Sequence, residues 1–306
     1  MQILRTPALR FDALRDYPFQ ANYIELEHTY GALRMHYVDE GDKSAQPILL
    51  MHGEPSWSYL YRHMIPLFVD AGYRVIAPDH IGFGKSDKLP LVSDYSYQGH
   101  VDHLRVLIET LDLRNIVPFA QDWGGPIMLL QLATMSDRFA ALVLGNTLLP
   151  TCEPPPRGVA DWPGEQILDW IQLNENEADL PVSDVMRGVT VSAMSDSDAT
   201  AYDAPFPDAT FKAGVRAFPM LIPIHVDKPG VTENKQTWRV LESWNKPCLV
   251  LFSDQDPSTA PWRDVFIQRI PGARAVEHPI VEGAGHMLQE DKPAAIVRHT
   301  LEFLKT

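Results

Sequence analysis

Two cysteines, Cys152 and Cys248, are all the thiols in 306 residues. Two thiols build no disulfide framework, and their separation matches no metal-binding spacing. Long apolar runs are missing too: nothing approaches the ~20 residues that cross a bilayer. The first residues, Met1-Gln2-Ile3-Leu4-Arg5-Thr6-Pro7, lack the apolar stretch of a secretory signal. Positive charge is scarce, since 26 Lys and Arg stand against 40 Asp and Glu for a formal net charge of −14. Such a surface repels phosphates, which argues against nucleic acid and anionic membranes as partners. There is no internal repeat, and no low-complexity tract beyond Glu153-Pro154-Pro155-Pro156. These absences set the expectation of a soluble, cytoplasmic protein without disulfides.

The chain does carry 45% hydrophobic and 22% charged residues, enough for one large domain or a core bearing an insertion. Short apolar runs read as buried strands at Pro47–Met51, Arg74–Pro78, Asn115–Ala120, Ala141–Gly145, Pro247–Phe252 and Ala273–Ile280. Tyr23–Glu27 and Leu33–Asp39 alternate apolar with polar residues, as a half-exposed antiparallel edge does. Helical spacing falls between the strands. Val101, Leu104, Leu107, Ile108 and Leu111 share one face; Gly124–Phe139 is apolar nearly all round; Ile296, Thr300, Phe303 and Leu304 share a face after Pro293. Strands alternating with helices imply a mostly parallel, eight-stranded sheet with helices on both faces, an α/β fold. The rhythm breaks between about Pro150 and Val226, where prolines, tryptophans and helix-like segments replace strands. We therefore divide the chain into a core at 1–149 and 228–306 and a helical cap at 150–227, lying over the strand ends where such sheets bind ligands.

Ala120-Gln121-Asp122-Trp123-Gly124 has the pattern small-x-nucleophile-x-Gly between a strand and a helix. It resembles the tight elbow that exposes the nucleophile in α/β-hydrolases. Asp122 stands in place of the usual serine. An Asp before a helix can simply cap it, but a carboxylate with an ordinary pKa near 3.9 is ionised at neutral pH and needs no base to attack. It suits displacement of a leaving group from saturated carbon, forming an alkyl-enzyme ester.

His286, in the glycine-rich loop Glu282–Leu288, follows the last expected strand and suits a general base that activates water. Its orienting carboxylate comes from Ser253-Asp254-Gln255-Asp256. Asp256 has the better spacing from the strand end, and Asp254 reads as a turn residue. The segment Gly145-Asn146-Thr147, after the preceding core strand, offers no acid. His52-Gly53-Glu54-Pro55 occupies the loop that supplies an oxyanion-hole N–H in this fold, which assigns Glu54 and Trp123 as the two backbone donors. The Glu54 side chain is placed to help hold the water; His52 reads as structural.

Arg5-Thr6-Pro7, Tyr17-Pro18-Phe19, His52-Gly53-Glu54-Pro55, Gly82-Phe83-Gly84-Lys85-Ser86-Asp87, Gln121-Asp122-Trp123-Gly124-Gly125, Ala204-Pro205-Phe206-Pro207-Asp208 and Gly285-His286 together resemble the haloalkane dehalogenases, over nearly the whole chain. The resemblance is to the subfamily with an Asp-His-Asp triad and two halide-binding tryptophans. It implies conversion of a small apolar halogenated substrate and water to an alcohol, a halide ion and a proton, without metal or organic cofactor. Indole N–H groups donate without carrying charge, which fits a departing anion. Trp123 is then the first donor. The second comes from the lid, either Trp170, in a segment similar to the family's helical tryptophan, or Trp162. The resemblance also puts Phe206, Phe218 and Pro219 in the substrate pocket.

Two rival readings stay open at this stage. An epoxide hydrolase would also use an aspartate nucleophile, but needs lid tyrosines to protonate the opening oxygen, and Tyr202 is the only tyrosine of the lid. A hydrolase-fold ligand receptor would keep the site for binding alone.

Overall fold

A computed structural model describes residues 2–153 and 162–305; Pro154–Pro156 of the proline run lie outside them. Seven strands form one sheet among the described residues: β1 (Asn22–Leu26), β2 (Leu33–Glu40), β3 (Pro47–Met51), β4 (Arg74–Pro78), β5 (Val117–Gln121), β6 (Leu142–Gly145) and β7 (Cys248–Val250). Their order is β1-β2-β4-β3-β5-β6-β7. β1, β2 and β4 pair antiparallel, with Ile24 opposite Met35 and Val38 opposite Ala77. From β4 to β7 the pairing is parallel, with Leu50 beside Phe119, Ala120 beside Leu144 and Val143 beside Leu249. Every residue of β3, β5 and β6 is buried, as continuous apolar runs in a sheet covered on both faces must be.

The core helices ahead of the lid are α1 (Met64–Asp70), α2 (Tyr97–Thr110) and α3 (Gly124–Thr134). Between β6 and β7, in the 150–227 interval expected to form the lid, lie α4 (Glu165–Asn176), α5 (Val182–Gly188), α6 (Asp196–Asp203) and α7 (Ala213–Leu221). The core resumes with α8 (Val231–Leu241), α9 (Trp262–Arg269), α10 (Leu288–Asp291) and α11 (Pro293–Phe303). α1 packs with α11, while α2 packs with α3 and α3 with α8, giving two helical layers. Among the described residues no helix is long and apolar enough to cross a membrane.

The sheet has seven strands rather than the expected eight because Ala273–Ile280 forms none. Just past it, Val281 makes an isolated parallel bridge to Ser253, beyond the end of β7. The cause is local. Val250 N–H donates to His278 Nδ1 at 3.1 Å, and His278 Nε2 lies 3.0 Å from the Ala273 carbonyl. An imidazole thus takes the place on β7 that a strand carbonyl would occupy. Pro271 and Pro279 at either end, unable to donate to a ladder, complete the interruption.

The chain leaves β3 for β4 on one side and returns to β5 on the other. That reversal between β3 and β5 opens a crevice at their carboxyl ends.

Candidate active site

β5 ends at Gln121, and α3 begins at Gly124. The two residues between them must reverse the chain within one turn, which puts Asp122 at φ +50°. For a residue with a Cβ this costs roughly 1–3 kcal/mol and persists only where neighbours enforce it. They do so from the segment after β6 and from α3: Asp122 N–H donates to Asn146 O (3.0 Å), and its carbonyl accepts from Thr147 Oγ1 (2.7 Å) and Gly125 N (2.9 Å). Gly124 is required because a Cβ there would stand 2.2 Å from the Met51 carbonyl of β3.

The elbow aims the Asp122 carboxylate across the crevice. Oδ1 accepts the Glu54 backbone N–H at 2.8 Å, and Oδ2 lies 3.3 Å from His286 Nε2. His286 Nδ1 is 2.9 Å from Asp256 Oδ2. Asp256 is buried and also accepts from Ser258 N (3.0 Å) and from the Thr259 hydroxyl. Asp254 stays exposed and accepts from Ala284 N (3.1 Å), so of the two candidate acids Asp256 meets the imidazole. Three residues distant in sequence stand in a row.

The charges in this row tune one another. Burial alone would push the His286 imidazole down, but the charge of Asp256, together with the hydrogen bond and charge of Asp122, outweighs it and leaves the pKa well above the ordinary histidine value. Burial would raise the Asp256 carboxyl; His286 and the bonds from Thr259 and Ser258 hold it below the ordinary value instead. Glu54 goes the other way. Its buried side chain is pushed well above the ordinary carboxylate value by desolvation and by the negative charge of Asp122, against hydrogen bonding from Trp170. Its Oε1 finds no hydrogen-bond partner among the described residues.

Asp122 and His286 open onto a cavity of about 180 Å³. Glu54, Trp123 and Trp170 also line it, and its apolar walls are Leu148, Ile167, Val185, Val189, Ile222 and Met287. Trp162 does not line it: that indole donates to the Pro223 carbonyl at 3.2 Å and packs edge-on against Trp262. Among the described residues no cluster of His, Cys, Asp and Glu is arranged to hold a metal.

Phe206, Phe218 and Pro219, expected in the pocket, are not among its lining residues. Phe218 of α7 is buried and stacks on Trp123 (5.1 Å between ring centres) and Phe83 (4.8 Å). Phe206 is buried beside the Lys88 ammonium, 5.8 Å from its ring centre. Pro219 is buried within α7, and the cavity receives Ile222 from just beyond that helix. The resemblance that put these residues in the pocket is matched by their burial but not by their place, since none of the three lines the cavity.

Several residues of the site escaped the sequence reading. Gln121 Nε2 donates to the His286 carbonyl (3.2 Å), and Gln289 Nε2 donates to Gln121 Oε1 (3.3 Å). Asn146 Nδ2 bridges Ser253 Oγ (2.8 Å) and the carbonyls of Gly285 and His286 (3.0 Å each). For Gln121 and Asn146 the available signal was a polar residue closing an otherwise apolar strand run; Gln289, in α10, had none. The lid tyrosine, Tyr202, is buried and donates to Glu290; it does not line the cavity.

The family model of the alpha/beta hydrolase fold matches residues 46–293. The haloalkane dehalogenase of Psychrobacter cryohalolentis is 43% identical over 99% of this chain and 98% of its own length. That of Mycolicibacterium paratuberculosis is 42% identical over 99% and 98%. Among solved structures, the tetrameric haloalkane dehalogenase DpaA from Paraglaciecola agarilytica NO2 superposes with a TM-score of 0.90 at 38% identity, covering 100% of this chain and 99% of that one.

Proposed function

The chain belongs to the haloalkane dehalogenases, hydrolases of the α/β-hydrolase fold, and from that premise we propose that it cleaves carbon–halogen bonds through an ester on Asp122. An alkyl halide enters the cavity under the lid. An Asp122 oxygen attacks the carbon bearing the halogen, the carbon–halogen bond breaks with its electron pair, and the halide departs toward the indole N–H groups of Trp123 and Trp170. No proton moves in this step. His286 Nε2 then takes a proton from water, whose oxygen adds to the ester carbonyl. The resulting oxyanion is held by the backbone N–H groups of Glu54 and Trp123. Collapse breaks the bond between the carbonyl carbon and the alkyl oxygen, that oxygen takes the proton held by His286 and leaves as the alcohol, and the acid left on Asp122 gives up its proton, which departs with the halide. No metal or organic cofactor enters the scheme.

The observation that carries this reading is the strained Asp122 carboxylate aimed at an imidazole that is itself backed by a buried carboxylate. The order of events also fits the charges. With Asp122 ionised, two carboxylates stabilise the protonated ring of His286. Esterification removes one of them, so the imidazole loses its proton more readily when a base is needed. Epoxide opening finds no support in the lid, because Tyr202 is spent on Glu290.

The test is direct. Asp122→Ala should abolish bromide release from 1-bromoalkanes, and wild-type protein trapped early should gain the mass of one alkyl group on Asp122. An alanine variant that releases bromide at the wild-type rate refutes the scheme.

A further inference from the structure

The loop carrying His286 does not stand alone; the lid lies on it. Past α5 the chain runs through Val189, Thr190, Val191 and Ser192 directly over Gly285–Met287. Met287 N–H donates to the Val189 carbonyl (3.3 Å), and Gly285 admits the crossing, since a Cβ there would stand 2.6 Å from that same oxygen. Val189 and Met287 both line the cavity.

One side chain joins the two segments. Asp291, at the end of α10, accepts from the lid with Oδ1, through Ser192 N–H at 2.6 Å and Val191 N–H at 3.0 Å. Its Oδ2 accepts from Gly285 N–H at 2.8 Å, one residue before the histidine, and from Val191 N–H at 3.1 Å. The preceding residue makes a second tie: Glu290 accepts from Tyr202 of α6 and pairs with the buried Arg62. Two consecutive carboxylates thus fasten the lid to the segment that ends the catalytic loop. A carboxylate suits this place because it has acceptors on both oxygens and no donor.

We propose that Asp291 is a positioning residue, a clasp that holds His286 at its working position only while the lid is seated. The inference rests on His286 being the base of ester hydrolysis. The first half-reaction, in which Asp122 acts without proton transfer, has no need of the clasp; the second does.

Asp291→Asn separates the two halves. The amide keeps the shape but can accept on one side only, so either the lid segment or Gly285 meets an N–H instead of an oxygen. In rapid-quench measurements with a 1-bromoalkane, the variant should release its first bromide at close to the wild-type rate. Steady turnover should fall about tenfold or more, with alkyl-enzyme ester accumulating in the mass spectrum, a signature that general destabilisation does not produce. Hydrogen exchange at Gly285 or at Val191 and Ser192 should accelerate. Asp291→Glu, which keeps both acceptors, should recover part of the turnover, and it supplies the same comparison if the asparagine variant does not fold. Unchanged exchange at both segments, or equal loss in the two half-reactions, overturns the clasp. Absence of bromide release by the wild type overturns the dehalogenation reading instead, and the exchange result then decides the clasp by itself.

Discussion

The elbow and the lid face each other across one cavity and are built on opposite terms. On the core side each reactive group is pinned by backbone. Asp122 is forced to φ +50° by a glycine pressed on β3, and is held by the polar tail of β6. The lid contributes apolar surface from helices, together with one indole whose surroundings include a carboxyl with an unmet oxygen. On the core side a displacement of one ångström breaks a hydrogen bond. On the lid side a modest helix rotation exchanges one apolar side chain for another at little cost in burial. In the proposed reaction the core side would therefore fix the chemistry, and the lid would fix what enters and how the anion is held.

Changes on each side should differ accordingly. The largest effect belongs to Asp256. Asp256→Asn should permit a first turnover of halide release yet lower steady turnover by about 10³-fold or more, because the imidazole loses its orienting charge; stopped-flow bromide assays measure both. A variant with a normal steady rate would show that the core side is less strictly fixed than its hydrogen bonds imply. Next comes the lid donor. Trp170→Phe removes one N–H from an anion, about 1.5–3 kcal/mol, so bromide affinity measured by fluorescence quenching should fall about 10- to 100-fold. Trp162→Phe should leave that affinity unchanged, since its N–H is committed to Pro223; equal losses in the two variants would reassign the second donor. The smallest effect sits where the sides meet. Burial and Asp122 raise the Glu54 pKa, so the carboxyl stays neutral below its folded pKa and becomes an anion above it. Bromide affinity should therefore weaken a few-fold as pH climbs through that ionisation. Glu54→Gln should flatten that part of the profile, and an unaltered profile would remove Glu54 from the anion's surroundings.

The same contrast explains what could be read from the chain itself. Asp122, His286 and their loops announce themselves because strand ends, glycines and turn residues are local signals, and the places of the strands along the chain follow from where the apolar runs fall. Asp256 was separable from Asp254 by spacing alone. The pocket walls were another matter: Phe206, Phe218 and Pro219 are buried, as their types suggest, but do not line the cavity, because which buried surface a side chain meets depends on contacts from distant segments. Asn146, Gln121 and Asp291 carry no local pattern; each takes its meaning from a neighbour more than 90 residues away. Ala273–Ile280 has the composition of a strand and the wrong neighbours, with prolines beside it and a histidine that fits the sheet better than its own backbone would.

That histidine has a consequence for the molecule among its own kind. The outer strand β7 is only three residues long, and one of its outward N–H groups is already spent on the imidazole of His278. An approaching chain that tried to add itself there would find no run of free donors to follow. The His278 imidazole, with the Val281 backbone bonded to Phe252 and Asp254 just beyond, thus occupies hydrogen-bonding places along that edge, and an edge so occupied offers less to a pairing strand.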